Sequence, residues 1–208
     1  MTYLNHKMGK YIPLLWLLSI PTLNIIYVLL NHGDNGARSL MTDLDQLIPM
    51  VPAFIIPYIL WYPIMLGTFL LLFFKERPLY YRVLINVCVG LVSCYVVYYF
   101  FQTTVPRPEL EGDGFLITLV KLIYATDQPF NCFPSIHVLS SYLAFKAVKQ
   151  CRGLSLPIKT LIAVMVWLII ISTVFVKQHV LLDIAGGIIL AEGINLLTGA
   201  LQSFFKRN

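Results

Sequence analysis

The sequence predicts an all-α, polytopic membrane protein built as a bundle of six transmembrane helices, and three observations predict it. Of 208 residues, 58% are hydrophobic and only 12% are charged, with a mean hydropathy of +0.78. That is more apolar surface than a soluble domain can bury. Six apolar runs follow one another along the chain, and a crossing helix needs ~20 such residues. The basic residues, finally, collect in alternate connections.

The first run, Tyr11 to Leu30, follows Lys7 and Lys10 but ends in Asn31-His32 without a small-residue cleavage site, so it reads as a retained membrane helix and not a signal peptide. The second, Val51 to Phe74, and the third, Val83 to Phe101, are separated by Lys75, Arg77 and Arg82. The fourth, Ser135 to Val148, is short and carries Ser135, His137, Ser140 and Ser141, so hydropathy alone reads it either as a crossing or as a re-entrant segment. Leu156 to Val176 and Val180 to Phe205 complete the set.

If all six cross, one side gathers eleven of the 15 basic residues: Lys7, Lys10, Lys75, Arg77, Arg82, Lys146, Lys149, Arg152, Lys159, Lys206 and Arg207. Arg38, Arg107, Lys121 and Lys177 fall on the other, with Asp34, Asp43, Asp45, Glu109, Glu111, Asp113 and Asp127. Lys and Arg favour cytoplasmic loops, so both termini are expected inside, in a multi-pass protein of the plasma membrane. The net charge of +5 is therefore a topology signal and not a nucleic-acid footprint. No internal repeat interrupts residues 1–208, and one membrane-embedded domain is expected. Four cysteines, Cys88, Cys94, Cys132 and Cys151, show no spacing that implies a disulfide or zinc site.

Two external connections are long. Gly33 to Met50 is polar, and Thr103 to Pro134 holds Pro106-Arg107-Pro108, an acidic cluster, and a stretch from Phe115 to Tyr124 that can form an interfacial helix. Long loops in a small protein are often functional. Glu109, Glu111 and Asp113 read as a solvated acidic face in preference to a calcium site.

Three polar patches fall on the external face: Gln102 to Pro108, Phe133 to His137, and Ser172 to Asp183. Ionisable residues at membrane depth are costly and usually functional. His179 and Asp183, spaced i and i+4, share a helix face. Either the carboxylate fixes the imidazole tautomer for a nucleophile or general base, or the pair simply satisfies itself at a helix start. Ser135 is a candidate N-cap whose neighbouring N–H groups suit phosphate oxygens, with His137 near enough to protonate a departing oxygen. Arg107, between two prolines, offers a planar donor fork, and Lys177 a point charge two residues before His179. Together these residues describe a site for a tetrahedral oxyanion.

In these motifs the chain resembles the type 2 phosphatidic acid phosphatase superfamily of membrane lipid phosphatases and phosphotransferases. That family carries a lysine, six residues, then Arg-Pro; next Pro-Ser-Gly-His; and last Ser-Arg, five residues, His, three residues, Asp. Arg107-Pro108, Pro134-Ser135-Ile136-His137, and Ser172 with His179 and Asp183 match in order, within blocks 100–108, 134–137 and 172–183. Phe100, Ile136 and Thr173 depart from it, standing for the lysine, the glycine and the third-block arginine. This divergent version is similar to the branch that includes inositol phosphorylceramide synthases.

The resemblance implies a metal-independent enzyme without a cofactor, acting on a membrane lipid phosphate at the outer face. His179 would attack phosphorus, Asp183 would orient it, and His137 would protonate the leaving oxygen. Arg107, Ser135 and Lys177 would hold phosphoryl oxygens, with Gln102 as a neutral donor. Phosphatidic acid and isoprenyl pyrophosphate both fit as substrates. Transfer of a phospho-headgroup to an alcohol is the alternative, and a lipid-binding protein or transporter using the same groups as a relay is a third reading. Glu192, about 13 Å below Asp183 along a helix, reads as internally paired, through Asn195 or another helix.

Overall fold

The computed structural model describes residues 9–33 and 36–207, with side chains through residue 204. Of the charges counted above, Lys7 and Asp34 and the side chains of Lys206 and Arg207 lie outside the described residues.

Proline sets the shape of the first helices. In α1 (Ile12–Leu30), Pro21 has no N–H for Leu17, and the chain up to Leu18 winds as a 3-10 helix before the α-helix begins at Ser19. In α3 (Pro52–Lys75), Pro63 likewise leaves Ile59 without its donor, and the helix breaks between Ile55–Ile59 and Trp61–Lys75. Between them lie strand β1 (Arg38–Ser39) and α2 (Asp43–Leu47). The long α4 (Arg77–Phe100) is followed by β2 (Thr103–Thr104), which pairs in parallel with β1, and by α5 (Phe115–Thr126), α6 (Ile136–Gln150), α7 (Leu156–Phe175) and α8 (Leu181–Arg207).

Among the described residues five helices, α1, α3, α4, α7 and α8, are long and apolar enough to cross a membrane. The chain is therefore an integral membrane protein. The fourth apolar run of the sequence is α6, whose 15 residues rise only about 22 Å. It packs against α3, α4, α7 and α8 at once, and ten of its residues are buried. A helix that lipid hardly touches can hold serines, a histidine and a lysine if neighbours satisfy them. Trp61 Nε1 donates to Ser140 Oγ (3.1 Å), and Glu192 on α8 accepts from the Tyr142 hydroxyl (2.6 Å) and pairs with Lys146. Asn195 bonds Arg82 instead (3.4 Å), so Glu192 is a bridge between α6 and α8.

The two ends of α6 mark two ends of the bundle. At its C-terminal end the Arg152 amide donates to Glu76, beside the start of α4, and Arg82 reaches Gln150. At its N-terminal end Ser135 N–H donates to the Asp183 carbonyl (3.2 Å), and the Tyr98 hydroxyl to the Pro134 carbonyl (2.6 Å), beside the end of α4. Close approach here needs small residues: a Cβ on Gly186 would meet the Phe133 ring at 2.4 Å, and one on Gly187 the Ser135 carbonyl at 2.9 Å.

Over this second end the two long connections form a cap. The Phe115–Tyr124 stretch is helical, as its pattern suggests, and lays Val120 onto Ile55, Tyr58 and Val176. Val105, Cys132 and Val180 form a smaller apolar centre with Leu40 and Met41.

Candidate active site

Under the cap lies a cavity of about 10 Å³, room for roughly one water, shared by His137 and His179 and lined also by Asn131, Gln178, Tyr27 and Asp127. The ring centroids of the two histidines are 5.9 Å apart. Three separate segments meet here: α1 at Tyr27, the continuous stretch from Asp127 to His137, and the turn joining α7 to α8.

Each histidine is placed by its local chain. His137 follows Ser135, which caps α6 by accepting from Val138 N–H at 3.3 Å, and its ring packs against Tyr58 and Trp61 with centroids 4.9 and 4.5 Å away. His137 Nδ1 has no protein partner. His179 directs Nδ1 at Asp183 Oδ2 (3.2 Å), and the same oxygen accepts from Val180 N–H at 2.9 Å. Asp183 is fully buried, so its bonds to His179 and Val180 carry its charge. With Nδ1 facing the carboxylate as donor, Nε2 carries the lone pair.

The α7–α8 turn is tight. Gln178 and His179 N–H groups both donate to the Thr173 carbonyl (2.9 and 3.1 Å), and Lys177 stands at φ 53°, where a non-glycine residue is strained. Its ammonium offsets that strain by donating to the Asp45 carbonyl (3.2 Å) and the Ile48 carbonyl. Asp45 completes the clamp: Oδ1 accepts from Leu181 N–H (2.7 Å), the start of α8, while Oδ2 accepts from the Thr42 amide and hydroxyl (2.8 and 2.6 Å). Burial works against the Asp45 charge, but the Thr42 hydroxyl, these amides and the Lys177 ammonium hold its carboxyl below the usual range.

A group with a lowered folded pKa contributes stability above its unfolded value of about 3.9 and loses it as pH falls through the folded value. Asp45→Ala should cost about 1–2 kcal/mol near neutrality, read as a lower Tm in detergent, and the gap to wild type should close below about pH 4. An unchanged Tm would mean the clamp is idle.

The structure thus gathers His137, His179 and Asp183, with Ser135 directly behind as cap. It places the remaining phosphate-site expectations elsewhere. Lys177 is committed to α2 and does not line the cavity. Arg107 gives its fork to protein: Nη1 to the Tyr124 carbonyl (3.1 Å), Nη2 to the Asp127 carbonyl (2.8 Å) and to Gln178 Oε1 (2.7 Å), with its plane 4.3 Å over the Tyr124 ring. The guanidinium is half-buried, and these oxygens are the acceptors in reach of its two terminal nitrogens. Gln102 Nε2 joins the Leu30 carbonyl (2.9 Å) to Asn131 Oδ1 (3.1 Å). Phe100 is 81% exposed on the lipid-facing side, and Thr173 turns its hydroxyl back to the Ile170 carbonyl.

One grouping is invisible in the spacing. Cys132 joins His179 and Asp183, with ligand atoms all within 4.8 Å of one another. Burial pushes the Cys132 thiol up, which keeps it protonated. A metal ion there would have to deprotonate that thiol and displace the His179–Asp183 bond.

A family model described as the PAP2 superfamily matches residues 44–197, which takes in all three motif regions. No curated protein and no solved structure matches the chain.

Proposed function

Because this chain belongs to the PAP2 superfamily, we propose that it is a membrane lipid phosphatase, hydrolysing a lipid phosphomonoester or pyrophosphate through a phosphohistidine on His179. The observation that carries the reading is the Asp183-oriented His179 facing His137 within one cavity. The Nε2 lone pair of His179 attacks phosphorus. The bond from phosphorus to the departing oxygen breaks, and that oxygen takes a proton from His137, whose imidazolium the bound phosphate dianion stabilises. His137, now neutral, takes a proton from water; the hydroxide oxygen bonds phosphorus, the N–P bond breaks, and inorganic phosphate leaves. Asp183 balances the positive charge that develops on His179.

A phosphoryl group is larger than the cavity of about 10 Å³, so binding widens it. The non-helical stretch from Gln128 to Cys132 roofs the cavity and is the part that can yield without unwinding a helix. The enzyme is a single membrane domain of six crossings, counting α6, with both termini cytoplasmic and the site outside. The basic residues concentrated at the α6 C-terminal end of the bundle support that orientation.

A phosphotransferase is the second reading, and one observation favours it: Asp127 lines the same cavity and can accept from the hydroxyl of an alcohol. The deciding experiment measures phosphate release by the detergent-purified protein from lipid mono- and diphosphates, with and without alcohol acceptors. Release without acceptor is expected. Product only when acceptor is present would establish transfer, and no product from any lipid would overturn both.

A further inference from the structure

No lysine or arginine lines the cavity among the described residues. A transferring phosphoryl group spreads its charge over oxygens that need donors. Two side chains hold such donors ready. Asn131 and Gln178 both line the cavity, are 2% and 4% exposed, and carry an amide nitrogen, Nδ2 and Nε2 respectively, that donates to no protein atom.

Which end of each carboxamide is uncommitted follows from the partners. Arg107 can only donate, so the atom of Gln178 that meets its Nη2 at 2.7 Å is the oxygen, and the nitrogen is free. The Leu30 carbonyl can only accept, so the Gln102 atom beside it is nitrogen. That nitrogen also meets Asn131 at 3.1 Å, so it meets the Asn131 oxygen, and here too the nitrogen is free. Asn131 stands at φ 56°, a left-handed position that asparagine tolerates better than most residues, and this turn sets its side chain under the roof. Asp127, the one acidic group on the cavity among the described residues, has Oδ1 covered by the Tyr27 hydroxyl (2.7 Å) and the Asn31 amide (3.0 Å).

We propose that Asn131 Nδ2 and Gln178 Nε2 are the phosphoryl-oxygen donors of this site, a neutral carboxamide cradle held in place by Gln102 and Arg107. The proposal rests on the phosphoryl-transfer reading above and deepens it. Gln102 and Arg107 then act as positioning residues: each grips a carboxamide oxygen and turns the matching N–H groups towards the histidines.

The test uses Asn131→Asp and Gln178→Glu in the full chain. Each is nearly isosteric and keeps the oxygen that Gln102 or Arg107 grips, but turns an oxygen in place of an amide nitrogen towards the substrate. Each should lower kcat/KM for the lipid phosphate by on the order of 10²-fold and weaken orthovanadate binding by a similar factor. The Tm of Gln178→Glu should hold or rise, because its carboxylate gains an ion pair with Arg107. If wild type hydrolyses lipid and His179→Ala does not, while both acidic variants stay within about twofold of wild type, the cradle is overturned and the phosphohistidine reading stands. A fall in Tm that tracks the loss of activity would make the pair structural and overturn the cradle as well. A wild type that neither hydrolyses a lipid phosphate nor binds vanadate would overturn both.

Discussion

His179→Ala should abolish phosphate release, by roughly 10³-fold or more, the scale expected when the nucleophile of a covalent mechanism is removed. The ring lies in the turn just before α8 with Nδ1 bonded to Asp183 and touches the cavity alongside His137, so alanine deletes the attacking atom while the helix itself remains. The Val180 N–H keeps its bond to Asp183 Oδ2, and the fold should survive. A second readout separates attack from binding: brief exposure to a labelled lipid phosphate should leave acid-labile, alkali-stable phosphate on the wild-type protein and none on the variant. Label retained by His179→Ala would move the nucleophile elsewhere, with His137 the next candidate.

Asp183→Asn should be nearly as damaging to activity, on the order of 10²–10⁴-fold. Asparagine fills the same space, but an amide nitrogen facing Nδ1 forces that atom to accept, which moves the imidazole proton to Nε2 and removes the lone pair. If the amide oxygen faces His179 instead, the tautomer is kept but no charge balances the developing imidazolium. The site is fully buried, and the Val180 N–H depends on the same oxygen, so a stability loss of about 1–3 kcal/mol should accompany it. The measurement is kcat beside Tm. A variant of lowered Tm but activity within tenfold would make Asp183 a structural residue and leave His179 unoriented.

Much of this was legible before any coordinates, because both signals involved are local. Apolar run length identified α1, α3, α4, α7 and α8, since a lipid-facing helix must be apolar along its length. It ranked α6 weakest for a physical reason: enclosed by four helices, α6 is screened from lipid and free to carry Ser140, His137 and Lys146. The His179–Asp183 pair, expected to share a helix face, does meet at 3.2 Å, but His179 stands in the turn before α8, so the turn and not helical period brings its ring to the carboxylate.

What spacing could not reach is how each polar group is used. Arg107 and Lys177 are half-buried cations near the site in sequence, yet the fold brings the carbonyls of Tyr124, Asp127, Asp45 and Ile48 within hydrogen-bond reach of them and so turns them away from the cavity the two histidines share. Asn131 and Gln178 fall outside the specified positions of the three motifs, and nothing local in their sequence tells a buried amide from a solvated one; the signal present is an amide close to a histidine in an apolar chain. Asp45, 138 positions from Asp183, looked like one more loop acid until the fold set it on the Leu181 amide.

The sequence by itself determined a membrane-spanning helical chain and the short segments that carry the histidines and the aspartate, because crossing lipid is a property of a segment alone and residues four apart stay close in any tight turn. Only the tertiary structure decided which donors face the cavity and which are consumed holding it together, because a hydrogen bond is claimed by whichever acceptor the folded chain brings within 3 Å or so.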